Sequence, residues 1–224
     1  MELAYSLNTL YFLLSGVLVM WMAAGFTMLE AGSVRSKNVI EILLKNIALY
    51  SIASIGFLLV GYELMYGWGQ IDTHAMYSDF FFQVVFVATA MSVVSGAVAE
   101  RKKLWTFLLF AAVFSCVLYP IQGSWSWGGG WLSEAGFSDF AGSGIVHMAG
   151  AAAALAGVLI LGPRAGKYTK GGLPKPIHGS NASQVALGTL ILWMGWFGFN
   201  GGSQLAIDGI ANADAVAKIF VNTN

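Results

Sequence analysis

Six long apolar stretches alternate with short polar ones along this chain. They cover residues 3–29, 42–62, 80–99, 104–119, 140–161 and 184–207, the fourth stopping at Pro120 and the fifth at Gly162-Pro163. Each is close to the roughly 20 apolar residues that a helix needs to cross a bilayer. Backbone N–H and C=O groups in hydrocarbon find partners only within their own segment, so each stretch is expected to be helical. The predicted fold class is therefore an all-α, multi-pass integral membrane protein with one domain over 1–224. No Pro/Ser-rich linker or low-complexity tract marks a second domain. The first stretch is read as a retained helix. A cleaved leader has a cationic start and a short apolar core, whereas the first cation here is Arg35 and the run is too long.

Charge sharpens this picture into an orientation. The charge-free part of the second stretch begins at Asn46, so Arg35, Lys37 and Lys45 are read as lying between the first and second helices, and Arg101, Lys102 and Lys103 lie between the third and fourth. Arg164, Lys167, Lys170 and Lys175 fall between the fifth and sixth. Of the eleven cations only Lys218 lies elsewhere. Cations gather on cytoplasmic loops, so the loops after the first, third and fifth helices are expected inside the cell membrane and the N-terminus outside. Composition agrees, with 57% hydrophobic and 10% charged residues, where a soluble domain carries about a quarter charged. A net charge of zero leaves no basic footprint for nucleic acid. The single cysteine, Cys116, rules out a disulfide within the chain and a cysteine metal cluster. His74, His147 and His178 have no metal-ligand spacing, and no cofactor motif is present.

Polar side chains inside spans are the first candidates for function. His147 lies in the fifth stretch on a strip of small residues, Gly150, Ala151 and Ala154. It reads equally as a functional group and as a structural histidine bonded to a neighbouring helix. The segment before it, SWSWGGGWLSEAGFSDFAG, combines Trp125, Trp127 and Trp131 with Glu134 and Asp139 and holds no cation. The tryptophans read as an interfacial belt or as a cation vestibule, since an indole face attracts ammonium-type ions. Asp139 suits a helix N-cap. The third stretch opens with Phe80, Phe81, Phe82, Gln83 and Phe86. The sixth carries Trp193, Trp196, Phe197 and Phe199 before Asn200-Gly201-Gly202-Ser203. A faint echo links VMWMAAGFTMLEAGS in the first stretch to ILWMGWFGFNGGS in the sixth, which are expected to run in opposite directions. Inverted repeats of this kind build many transporters. A serine protease reading through Ser143 and His147 lacks the usual flanking glycine, with Ala141 in its place, and no HExxH motif occurs. The chain is not expected to be an enzyme.

The segments LEAGSVRSKN, GAVAER, WGGGWL, DFAGSGIVH, LGPR and GWFGFNGGS, in this order, resemble the ammonium transporter family (Amt/Mep/Rh), nearer its Amt branch. The resemblance implies transport of ammonium or ammonia, with methylammonium as an analogue. Trp127 matches the outer-vestibule tryptophan that stacks on the incoming cation, and Ser203 the serine that hydrogen-bonds it. Phe86 and Phe199 match two stacked phenylalanines at the pore mouth. Asp139 matches an aspartate that organises the recruitment site, and Gln83 a glutamine near the gate. His147 matches the first of a pair of pore histidines. The resemblance further implies a homotrimer and, in the full-length protein, a PII-type regulator. An Amt-like module fused to a signalling domain, binding ammonium as a sensor, is the alternative.

Family members have about eleven helices, in two inverted five-helix repeats plus one. This chain matches the first repeat and the first helix of the second, so it is expected to be a partial sequence, with FVNTN leading toward a seventh helix. The second pore histidine has no match, because His74 and His178 both fall in loops.

Overall fold

The computed structural model describes residues 2–224, and its ordered segments are helices. Helix α1 is Glu2–Ser33, α2 is Ser36–Met65, α3 is Met76–Ala97 and α4 is Leu104–Ser124. A short α5, Trp131–Glu134, precedes α6, Ser143–Leu161, and α7, Ala182–Gly202. Helix α8 is Gly209–Thr223. Six of these, all but α5 and α8, are long and apolar enough to cross a membrane. Among the described residues the one β-type pairing is an isolated bridge between Tyr168 and Pro174.

Several boundaries differ from those drawn on hydropathy, each for a physical reason. The fourth helix does not stop at Pro120 but runs on to Ser124. A proline lacks an N–H and its ring crowds the preceding turn; a wider π-turn at Phe114–Leu118 directly before it opens that turn. A second π-turn, Phe57–Gly61 in α2, lies against the same region. There the absent side chain of Gly61 leaves room for Pro120. Helix α7 ends at Gly202, not at 207, and Leu205 adopts a left-handed φ of 62° in the turn that follows. The residues leading to FVNTN already form α8, which returns onto α7 through a Phe197–Phe220 ring pair and an Asn200–Thr223 hydrogen bond of 3.1 Å.

Lys45 also departs from its sequence reading. It is not a loop cation but lies inside α2, fully buried, with its ammonium 2.7 Å from Glu30 of α1. Ser95 of α3 completes the cluster, donating its hydroxyl to Glu30 and accepting from Lys45 at its carbonyl. Buried charges persist when paired and hydrogen-bonded, and this pair ties α1, α2 and α3 together.

Helices α1 and α7 run antiparallel in close contact, and small residues set the spacing. A Cβ at Gly188 would lie 2.5 Å from the Leu29 nitrogen and 2.6 Å from the Gly25 oxygen. Only glycine permits such backbone approach. The α1–α2, α3–α4 and α6–α7 connections meet at one end of the bundle, at Glu100. Its carboxylate accepts from Arg35 at 2.9 Å, from Arg164 at 3.0 Å and from Asn38. Desolvation alone raises its pKa, but the hydrogen bonds from Arg35, Asn38 and Arg164 outweigh it and hold the carboxyl down to about 2. These bonds also secure a backbone held at a φ of 62°.

Candidate functional site

At the opposite end of the bundle, α2, α3, the α4–α5 turn and the end of α7 enclose a cavity of about 390 Å³. Of the seven residues to which the resemblance gives a site role, four line it: Gln83, Phe86, Trp127 and Ser203, with Phe82 beside them. The other three stand behind them. The Phe86 and Phe199 rings lie 4.2 Å apart, tilted by 35°, and both are buried. Phe199 in turn touches the His147 ring at 5.3 Å, and His147 stacks on Trp196 at 5.0 Å. Cavity, Phe86, Phe199 and His147 therefore form a file leading into the bundle.

The local backbone explains how the sequence positions each member. Asp139 precedes α6, and its carboxylate accepts four backbone N–H groups, from Gly142, Ser143, Gly144 and Ile145, at 2.8–3.0 Å. It thus satisfies the donors that a helix start leaves free. Gly142 adopts a left-handed φ of 102°, and α6 opens with a π-turn at Ser143–Met148 that carries His147. This is why the helix begins three residues later than the apolar run. The Asp139 carbonyl accepts from the Trp127 indole N–H at 2.7 Å, which fixes the ring as a wall of the cavity. One residue therefore sets both the tryptophan and the helix bearing the histidine.

Ser203 directs its hydroxyl proton to the Phe199 carbonyl at 2.8 Å. Its oxygen lone pairs are then the free acceptors, suited to an N–H donor in the cavity. The Nε2 atom of His147 is buried and has no hydrogen-bond partner among the described residues, so it is poised to receive or give a hydrogen bond in the file. Gln83 accepts from the Tyr66 hydroxyl at 2.9 Å. Desolvation, with Tyr119, Asp79 and Tyr62 nearby, pushes the Tyr66 phenol well above its ordinary range, so it stays a donor.

The structure adds lining residues that the sequence reading passed over: Tyr62, Tyr66, Asp79 and Phe140. Asp79 had a legible signal. It lies four residues before Gln83 and seven before Phe86, on one face of a helix, but the charge-free run begins one residue later. Tyr62 and Tyr66 reach the cavity from α2 and its end, a proximity that only tertiary packing creates. Among the described residues no group of three or more His, Cys, Asp or Glu side chains could hold a metal ion.

The model of the Ammonium Transporter Family matches residues 10–224. Ammonium transporter Amt2 of Archaeoglobus fulgidus is 45% identical over 95% of this chain and 50% of its own length. Among solved structures, one of a protein named Sensor Amt Protein superposes with a TM-score of 0.90 at 36% identity, over 99% of this chain and 60% of that one. Mep2 of Candida albicans superposes with a TM-score of 0.78 at 28% identity, over 90% and 49% of the two chains. The chain thus spans about half the length of the curated relatives it matches. The motif set, the all-helical membrane fold and these likenesses agree: the chain belongs to the ammonium transporter family.

Proposed function

We propose that this chain forms the recruitment end and one wall of a path for ammonium across the cell membrane. The observation that carries the reading is the file itself: a cavity walled by Trp127 and Ser203, then Phe86, then Phe199, then His147 with a free Nε2. An ammonium ion is compact and strongly hydrated, and moving it bare into hydrocarbon is prohibitive. An aromatic wall and the Ser203 lone pairs replace part of its water in the cavity. Beyond the phenylalanine pair the surroundings are apolar, which disfavours the charged form, so the cation gives up its proton to solvent on the cavity side before the neutral molecule moves inward. His147 Nε2 then offers the neutral molecule, ammonia or methylamine, a hydrogen bond. Asp139 acts by holding Trp127 and α6 in place, and Gln83 by shaping the cavity beside Phe86. Loop cations support a cavity facing outward with the N-terminus outside. A homotrimer and a PII-type partner belong to the same reading.

The test is uptake of labelled methylammonium by the full-length protein in a host lacking its own ammonium transporters. Saturable uptake that competes with ammonium supports the reading; no flux from well-expressed protein rejects transport. A second reading, ammonium sensing, draws on the likeness to the Sensor Amt Protein structure. Binding of methylammonium without flux would favour it.

A further inference from the structure

Among the described residues one carboxyl side chain lines the cavity, and it is not in any of the family-like motifs. Asp79 lines the wall one turn from Gln83, with a side chain 13% exposed. The Tyr62 hydroxyl donates to one of its oxygens at 2.6 Å, and the Gln83 amide approaches the other at 3.4 Å. The only ion-pairing group within reach among the described residues is His74, whose Nε2 lies 3.6 Å away and makes no hydrogen bond. Among the described residues no lysine or arginine pairs with the carboxylate. Asp139, the other acid nearby, is placed differently. Its two oxygens are engaged by four backbone N–H groups, and it does not line the cavity.

We propose that Asp79 is the charge-bearing residue of the outer site. Its uncompensated carboxylate makes the cavity take up a small primary ammonium cation in preference to a neutral solute. The inference rests on the recruitment reading above and adds to it the source of the attraction. Trp127 and Ser203 supply contacts of modest strength and Asp79 supplies the field. A unit charge a few ångström from the cation, at the intermediate dielectric of a wet cavity, is worth roughly tenfold in affinity or more. Tyr62 and Gln83 hold the carboxylate against the wall, so that it faces the cavity without closing on His74.

The test compares the full-length wild type with Asp79→Asn and Asp79→Glu, using methylammonium as the probe. Calorimetric binding to purified protein and uptake kinetics are both read. Asparagine keeps the shape and an acceptor for Tyr62, so the fold is preserved, as a matching elution profile would verify. The expected result for D79N is an apparent affinity weaker by about tenfold in both assays. Its maximal uptake rate stays within about twofold, and D79E restores most of the affinity. Affinity of D79N within twofold of wild type overturns the assignment. A loss of maximal rate alone, or a failure of D79E to restore affinity, overturns it as well, because it marks a structural role. If the wild type neither binds nor transports methylammonium, the recruitment reading fails and Asp79 falls with it. Wild-type binding that survives intact in D79N removes Asp79 only.

Discussion

Replacing Lys45 by methionine removes the cation from a pair that is closed off from solvent on both sides, with Lys45 at 0% and Glu30 at 3% exposure. At a separation of 2.7 Å the gross attraction is about 6 kcal/mol at an effective dielectric of 20. Desolvation of two ions takes back most of that, so the pair contributes little net stability over an apolar pair of the same volume. Breaking it is another matter. In K45M the Glu30 carboxylate keeps only the Ser95 hydroxyl, and its Oε1 atom already has no partner. The expected cost is about 3–5 kcal/mol. In the double variant E30Q/K45M no buried charge remains, and the cost should fall to about 1–2 kcal/mol, mostly for a poorly placed amide. The assay is reversible unfolding of the full-length protein in mixed micelles, followed by circular dichroism across the four members of the cycle. A coupling energy of at least about 2 kcal/mol is expected. Additive effects, with coupling within about 0.5 kcal/mol of zero, would refute the claim that the two charges form one buried unit.

Three further outcomes follow from the same structure. Trp127→Leu removes an aromatic wall of the cavity, and the apparent affinity for methylammonium should weaken several-fold, on the order of 1 kcal/mol; unchanged uptake kinetics would contradict the vestibule role. Gly188→Val places carbon against the α1 backbone at Leu29 and Gly25. It should destabilise the bundle by about 2 kcal/mol or more, read as a lower unfolding midpoint, whereas the same change at exposed Gly171 should cost far less. Glu100 has a folded-state pKa below its unfolded value, so its stabilising contribution is fully present above pH 4.5 and is lost as pH falls toward about 2. Stability measured over that window should decline less steeply in Glu100→Gln, and a parallel decline would contradict the role given to this carboxylate.

The elements of this fold were legible because the bilayer imposes a simple rule on them. A mostly apolar run near 20 residues long becomes a helix, and six such runs lie on α1, α2, α3, α4, α6 and α7. What escaped was set by partners distant in sequence. Lys45 reads as a loop cation until α1 brings Glu30 to it, 15 residues earlier in the chain. Pro120 reads as a stop because the π-turn that accommodates it has no sequence signal strong enough to be seen. The site shows the same division. Trp127, Ser203, Phe199, Asp139 and His147 stand in recognisable motifs; the structure lines up the cavity, Phe86, Phe199 and His147 in one file, with Asp139 bonded behind Trp127. Gln83 joins them in the cavity wall. Asp79, Tyr62 and Tyr66 belong to no motif. They became visible only when the end of α2 closed over the start of α3, through the Tyr62–Asp79 and Tyr66–Gln83 hydrogen bonds. The faint echo between the first and sixth stretches corresponds to two helices packed antiparallel on glycines, which accounts for their shared small residues.

The central claim is that the cavity behind Trp127 receives an ammonium-type cation. It is tested most directly by an experimental structure of the full-length protein at saturating methylammonium. Density for the ligand is expected in this cavity, against the Trp127 ring and within hydrogen-bonding distance of the Ser203 oxygen. An empty cavity with the ligand bound elsewhere, or a ligand out of reach of Ser203, would contradict it.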